Sequence, residues 1–174
     1  MFTVMGIDPG TVNCAFSIVD YHLKTAKYDV VAHGMIRNPV KEMNGPGVGK
    51  QLKKFMAEIR AIKREFNPHF ACAERYMTRG MKGVTIESVN LMLGGLASIF
   101  GTEVCFIPAA TWKNAINKRF VLDTFYADLK PYGIAPHRID AVGIGLYGAT
   151  LALEEPHYRV VTSQQLKKKI LDTR

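Results

Sequence analysis

From Pro136 to Leu153 the chain is built mostly of Ala, Val, Ile, Leu and Gly, and after Asp140 it carries no charge until Glu154. A proline at the opening position presets the first helical turn, so the segment reads as a core helix apolar around most of its circumference. Such a helix cannot lie on a surface with one face in water. It must be buried against a sheet, and the rest of the chain has to supply that sheet.

The sheet is legible upstream. Residues 2–7, 13–20 and 28–37 are apolar-rich runs separated by turns, alternating enough to predict an antiparallel meander. From Val48 to Phe66 the apolar positions Val48, Leu52, Phe55, Met56, Ile59, Ile62 and Phe66 recur at steps of three and four, with Lys and Arg mostly off that stripe, which predicts an amphipathic helix. Asn67-Pro68 ends it, and Phe70-Ala71-Cys72-Ala73 is a short buried strand that delivers Glu74 at its end. Ile86–Phe100 is a second helix, apolar over much of its surface, with Gly94-Gly95 inside it. Glu103–Ile107 is a further strand, and 109–133 is mixed helix and loop carrying Trp112, Lys113, Lys118 and Arg119. These elements predict an α/β fold with a mixed sheet of about five strands flanked by helices. Strands one and four are expected side by side at its centre. The length of 174 residues suits one domain, residues 1–174, with a basic tail from about residue 157 that includes Lys167-Lys168-Lys169.

Chemistry is signalled first by Val4-Met5-Gly6-Ile7-Asp8-Pro9-Gly10-Thr11. An apolar strand ends here in a carboxylate, Pro9 holds that residue extended, and Gly10 permits the tight reversal that follows. If strands one and four are neighbours, Asp8 and Glu74 close them at the same edge. A third acidic element is Pro136-His137-Arg138-Ile139-Asp140, where three-residue spacing puts His137 and Asp140 on one helix face. Taken alone, that pair also suits ordinary helix capping. Together with Asp8 and Glu74 it makes three carboxylates and an imidazole, a set that repels itself unless a divalent cation intervenes. Two-metal phosphodiester hydrolysis needs such a set.

Charge points the same way. Lys and Arg number 23 against 15 Asp and Glu, a formal net charge of +8, which suits a polyanionic partner such as nucleic acid. The segment 75–83 carries Arg75, Arg79 and Lys82 beside Tyr76, a combination suited to an opened nucleic-acid strand. There is neither a signal-peptide pattern nor an apolar run of about 18 residues, so a soluble cytoplasmic protein with no membrane partner is expected. Cys14, Cys72 and Cys105 are widely spaced in apolar runs and read as reduced core residues.

Gly6-Ile7-Asp8-Pro9-Gly10-Thr11, then Ala73-Glu74-Arg75-Tyr76, then His137-Arg138-Ile139-Asp140-Ala141 resemble, in order and approximate spacing, the RuvC-type Holliday junction resolvases of the ribonuclease H-like superfamily. The resemblance implies a ribonuclease H-like fold and a homodimer that nicks opposing strands of a four-way DNA junction, leaving 5′-phosphate and 3′-hydroxyl ends. It also implies Mg²⁺, with Mn²⁺ able to substitute, held by Asp8, Glu74 and Asp140, with His137 in the fourth position. Lys113 would be catalytic or contact phosphate, and Lys118, Arg75, Tyr76, Arg79 and Lys82 would bind DNA. Two departures stand out. Met77 occupies the place where many family members carry a junction-wedging aromatic, and the stretch from Lys113 to Lys118 is shorter than usual. The compact sequence fits a phage-encoded branch, acting in a bacterial or phage-infected cytoplasm.

Rival readings are a ribonuclease H acting on RNA–DNA hybrid, a catalytically silent DNA-binding module, and an actin-like phosphotransferase, which shares the Gly-Ile-Asp-x-Gly-Thr opening but needs two such domains. The apolar helix Ile86–Phe100, with Met92 and Leu96 in its stripe and Gly94-Gly95 allowing close approach, is the expected homodimer interface.

Overall fold

The computed structural model describes residues 1–22, 25, 27–37, 47–75, 84–120, 125, 127, 129–130 and 135–154. Strands β1 (Phe2–Asp8), β2 (Asn13–His22) and β3 (Lys27–Arg37) precede helix α1 (Gly47–Phe66). Strand β4 (Phe70–Arg75), helix α2 (Val84–Phe100), strand β5 (Val104–Pro108), helix α3 (Ala109–Phe120) and helix α4 (Pro136–Glu154) follow.

The five strands form one sheet in the order β3-β2-β1-β4-β5. β1 pairs antiparallel with β2, β2 antiparallel with β3, and β1 and β5 each run parallel to β4. The expected neighbours β1 and β4 are therefore central, with Ile7 opposite Ala73 in the register. Asp8 and Glu74 each follow that pair by one residue. Because a strand turns successive side chains to opposite faces, the run Phe2, Val4, Gly6, Asp8 shares one face with Phe70, Cys72 and Glu74.

Two cores result. On the first face Phe2, Val4, Val19, Phe70, Cys72 and Ile107 pack with Trp112 and Ile116 of α3 and Val142, Ile144 and Ala149 of α4. On the second, Met5, Ile7, Ile18, Ala71 and Ala73 pack with Phe55 and Ile59 of α1 and Val89, Met92 and Leu96 of α2. Asp8 and Glu74 belong to the face covered by α3 and α4.

Helix α4 lies on the sheet with its backbone. A Cβ added to Gly6 would sit 2.0 Å from the Ala141 carbonyl oxygen and 2.5 Å from the Gly145 nitrogen, and one on Gly148 would sit 2.6 Å from the Cys72 Cβ. Ser17 Oγ adds a buried hydrogen bond to the Ala141 carbonyl at 2.8 Å. The charge-free stretch thus meets the sheet that its composition demanded.

The two faces differ from expectation at α2. Val89, Met92, Leu96 and Phe100 form its stripe, but they are buried in the chain's own second core, and the close approach at Gly95 is made to Leu52 and Met56 of α1. Met92 and Leu96, expected at a dimer interface, face inward. Periodicity shows that a stripe is covered without showing what covers it.

The cysteines are free and buried, as expected. Burial pushes the thiols of Cys14 and Cys72 well above their ordinary value, with the Asp8 charge adding to the shift at Cys14. Among the described residues no helix is long and apolar enough to cross a membrane.

Candidate metal centre

Each group of the centre is delivered by an element end. β1 ends on Asp8 and β4 carries Glu74 next to its last residue. β5 runs parallel to β4 and ends at Pro108, so α3, which starts at Ala109, places Trp112 and Lys113 at the same sheet edge. The first turn of α4 brings His137 and Asp140 over Asp8.

Ligand atoms of Asp8, His137 and Asp140 all lie within 4.8 Å of one another. His137 Nδ1 stands 3.0 Å from Asp8 Oδ2, and Lys113 Nζ stands 3.8 Å from Asp140 Oδ2. Glu74 is not part of that trio. Its Oε2 accepts a hydrogen bond from the Trp112 indole Nε1 at 2.8 Å. The carboxylates of Asp8 and Asp140 are mostly buried, whereas the His137 ring is largely exposed.

The electrostatics are those of carboxylates held mostly out of water. Burial raises Asp8 above the usual range, partly offset by the His137 hydrogen bond and the charges of His137 and Lys113. Burial also raises Glu74, opposed by the Trp112 hydrogen bond and reinforced by Asp8. Asp140 is pushed up to about 6, chiefly by burial, with Lys113 pulling down and the charges of Asp8 and Glu74 pushing up. Two mostly buried carboxylates and an imidazole, all within 4.8 Å of one another, form a donor set that fits a divalent ion of the Mg²⁺ or Mn²⁺ class.

The other sequence-predicted residues are placed less centrally. Arg75, the last residue of β4, is exposed. Lys118 is exposed on a different face of α3 from Lys113. Tyr76, Arg79, Lys82, the wedge position Met77 and the basic tail from residue 157 lie outside the described residues.

Sequence reasoning missed the partner of Trp112. The signal was present in outline, since a residue in the first turn after a strand parallel to β4 must fall at the edge where β4 ends. It also missed Arg138, whose Nη1 lies 3.2 Å from His33 Nδ1 on β3, pinning the first turn of α4 to the sheet edge.

A family model described as crossover junction endodeoxyribonuclease RuvC matches residues 4–90, half of the chain, spanning Asp8 and Glu74. No curated protein matches by sequence. The solved structure of Thermus thermophilus RuvC in complex with a Holliday junction substrate is similar, at 18% identity and a TM-score of 0.70 over 87% of this chain and 95% of that one. The yeast mitochondrial Holliday junction resolvase Ydc2 is 15% identical with a TM-score of 0.60, covering 91% of this chain and 83% of its own. At such identities the likeness is one of fold.

Proposed function

We propose, because the chain belongs to the RuvC family of crossover junction endodeoxyribonucleases, that Asp8, Glu74, His137 and Asp140 hold the divalent cations of a junction-resolving nuclease, with Mg²⁺ the ion and Mn²⁺ a substitute. The chain is a structure-selective endonuclease of four-way DNA junctions. The described residues fold as one domain around the five-stranded sheet. The observation that carries the site reading is the convergence of Asp8, His137 and Asp140 within 4.8 Å at the edge where β1 and β4 end.

Ions bound there supply Lewis acidity, acidifying an attacking water and stabilising the leaving oxygen. The residues do the rest. Asp8 and Asp140, disfavoured as bare anions by burial, recover that cost by neutralising the cation. Lys113, close enough to pair with Asp140, has a flexible stem that reaches a phosphate oxygen once the carboxylate is engaged elsewhere. The surplus of basic residues, with Arg75 and the stretch holding Tyr76, Arg79 and Lys82 next to the centre in sequence and Lys118 further out, suits the phosphates of branched DNA.

Paired nicking requires two such sites, so we place two copies of the chain on one junction. The half-buried side chains Leu91 and Leu93 on α2 replace Met92 and Leu96 as candidates for the contact. Sedimentation of Leu93→Glu should show monomers that no longer cut in pairs, and an unchanged, fully active dimer would remove α2 from the interface.

The test of the function itself is cleavage of a four-way junction, an RNA–DNA hybrid and a plain duplex in Mg²⁺. Only the junction should be cut efficiently. Asp8→Asn, Glu74→Gln and Asp140→Asn should each abolish cutting while junction binding persists in metal-free buffer. Near-normal cutting by Asp8→Asn would overturn the assignment of the site.

A further inference from the structure

Trp112 is the single tryptophan of the chain and is completely buried. Burying an indole requires a partner for its N–H, and here that partner is Oε2 of Glu74 at 2.8 Å. A backbone carbonyl would have satisfied the donor equally well. The choice of a carboxylate at the end of β4 makes the bond charge-assisted and ties a core side chain to the edge that carries the centre.

The ring is itself held. A Cβ on Gly143 of α4 would lie 2.6 Å from the Trp112 Cζ3, so α4 leaves room for the indole at the residue three beyond Asp140. The next residue of α3, Lys113, lies 5.1 Å from the Trp112 ring centroid and 3.8 Å from Asp140. The Trp112-Lys113 dipeptide therefore touches Glu74 with one side chain and Asp140 with the other. Glu74, meanwhile, lies outside the 4.8 Å group formed by Asp8, His137 and Asp140, with its Oε2 on the indole N–H.

We propose that Trp112 is a positioning residue for Glu74: its indole N–H holds Oε2 and leaves Oε1 to serve the cation. This rests on the reading of Glu74 as a metal ligand. A ligand tethered through one oxygen loses less side-chain freedom when the ion arrives, and hydrogen-bond partners of metal ligands carry about 10- to 100-fold in metal affinity. A tryptophan that only fills the core predicts something else. Its replacement would lower stability and leave ion affinity per folded molecule unchanged.

The experiment is Mn²⁺ binding without DNA, with the free ion counted by its electron paramagnetic resonance signal. Trp112→Phe keeps a buried ring and removes the donor. A second form replaces Trp112 by its benzothiophene analogue, in which sulfur stands where the N–H was, so the shape and packing are retained even if the phenylalanine variant folds poorly. Both should bind Mn²⁺ about tenfold more weakly than the unaltered protein. The analogue keeps the packing of the ring, so in metal-free buffer it should lose only the stability of that one hydrogen bond and bind the junction equally well. Unaltered Mn²⁺ affinity in the analogue, alongside loss of binding in Asp8→Asn, overturns the role of Trp112 and leaves the metal centre standing. Full Mn²⁺ binding by Asp8→Asn overturns both.

Discussion

The two faces of the sheet are closed by different means. Under α4 the contact is backbone on backbone where Gly6 meets Ala141 and Gly145, and at Gly148 the helix backbone rests directly on the Cys72 side chain. Under α1 and α2 a layer of side chains intervenes, led by Phe55, Ile59, Met92 and Leu96, and even the close approach at Gly95 is to the flexible thioether stem of Met56, 3.2 Å from an added Cβ. The helix that carries His137 and Asp140 is the one that rests on main chain. A side-chain layer can repack by rotamer changes, but a helix seated on backbone cannot slide without a clash. The contrast teaches that a ligand-bearing helix is fixed by removing side chains, whereas a covering helix is fixed by adding them.

Gly6→Ala should break the contrast most severely. The new methyl would lie 2.0 Å from the Ala141 carbonyl oxygen, with only backbone to move, so a loss of about 3 kcal/mol or more is expected from urea unfolding, together with loss of cleavage. A variant of unchanged stability would show that α4 is no more firmly seated than α2.

The next effect is ionic and confined to the α4 face. Burial raises Asp8, Glu74 and Asp140, the last to about 6, so the folded protein holds protons that the unfolded chain has released above its ordinary carboxylate range. The contribution of these groups to metal-free stability is therefore greatest in acid and falls as pH rises from about 4 to about 6. A cation that needs the ionised carboxylates acts in the opposite sense. Mg²⁺ should raise the melting temperature more at about pH 7.5 than at about pH 5, where Asp140 holds its proton. Equal increments at both would separate the carboxylates from ion binding.

Smaller still is Ser17→Ala, which deletes the buried hydrogen bond from β2 to the Ala141 carbonyl and should cost about 1 kcal/mol. At the low end, Gly94→Ala on α2 meets nothing within 4 Å and should stabilise the protein by up to about 1 kcal/mol through helix propensity alone. An alanine at Gly95 should be close to neutral, because Met56 can give way. If the Gly94 and Gly6 substitutions had similar effects, the distinction between the faces would collapse.

Much of the site could be read before folding was considered. The strand before Asp8 and the one before Glu74 are both short apolar runs ending in a carboxylate, and three-residue spacing sufficed to put His137 and Asp140 on one side of α4. The adjacency of β1 and β4 followed from the order of elements, and the register places Asp8 and Glu74 on the same face. The stretch after Pro108 was harder. Trp112 and Ile116 face the first core as one stripe of a regular helix, α3, yet the polar residues among them blur that periodicity in the sequence. For α2 the apolar stripe was plain, but its cover was α1 and the sheet.

Local chemistry thus determined, from sequence alone, which side chains carry charge, where each strand delivers its carboxylate, and that the α4 segment must be buried. These follow from backbone periodicity and from the cost of leaving apolar surface in water. Tertiary structure decided the rest. It turned Glu74 toward Trp112, brought Lys113 to Asp140, and made Gly6, Gly143 and Gly148 the points where α4 meets its neighbours. Those pairings join residues far apart in the chain, and the distance at which two elements pack is set by side chains on both at once, which no single stretch of sequence contains.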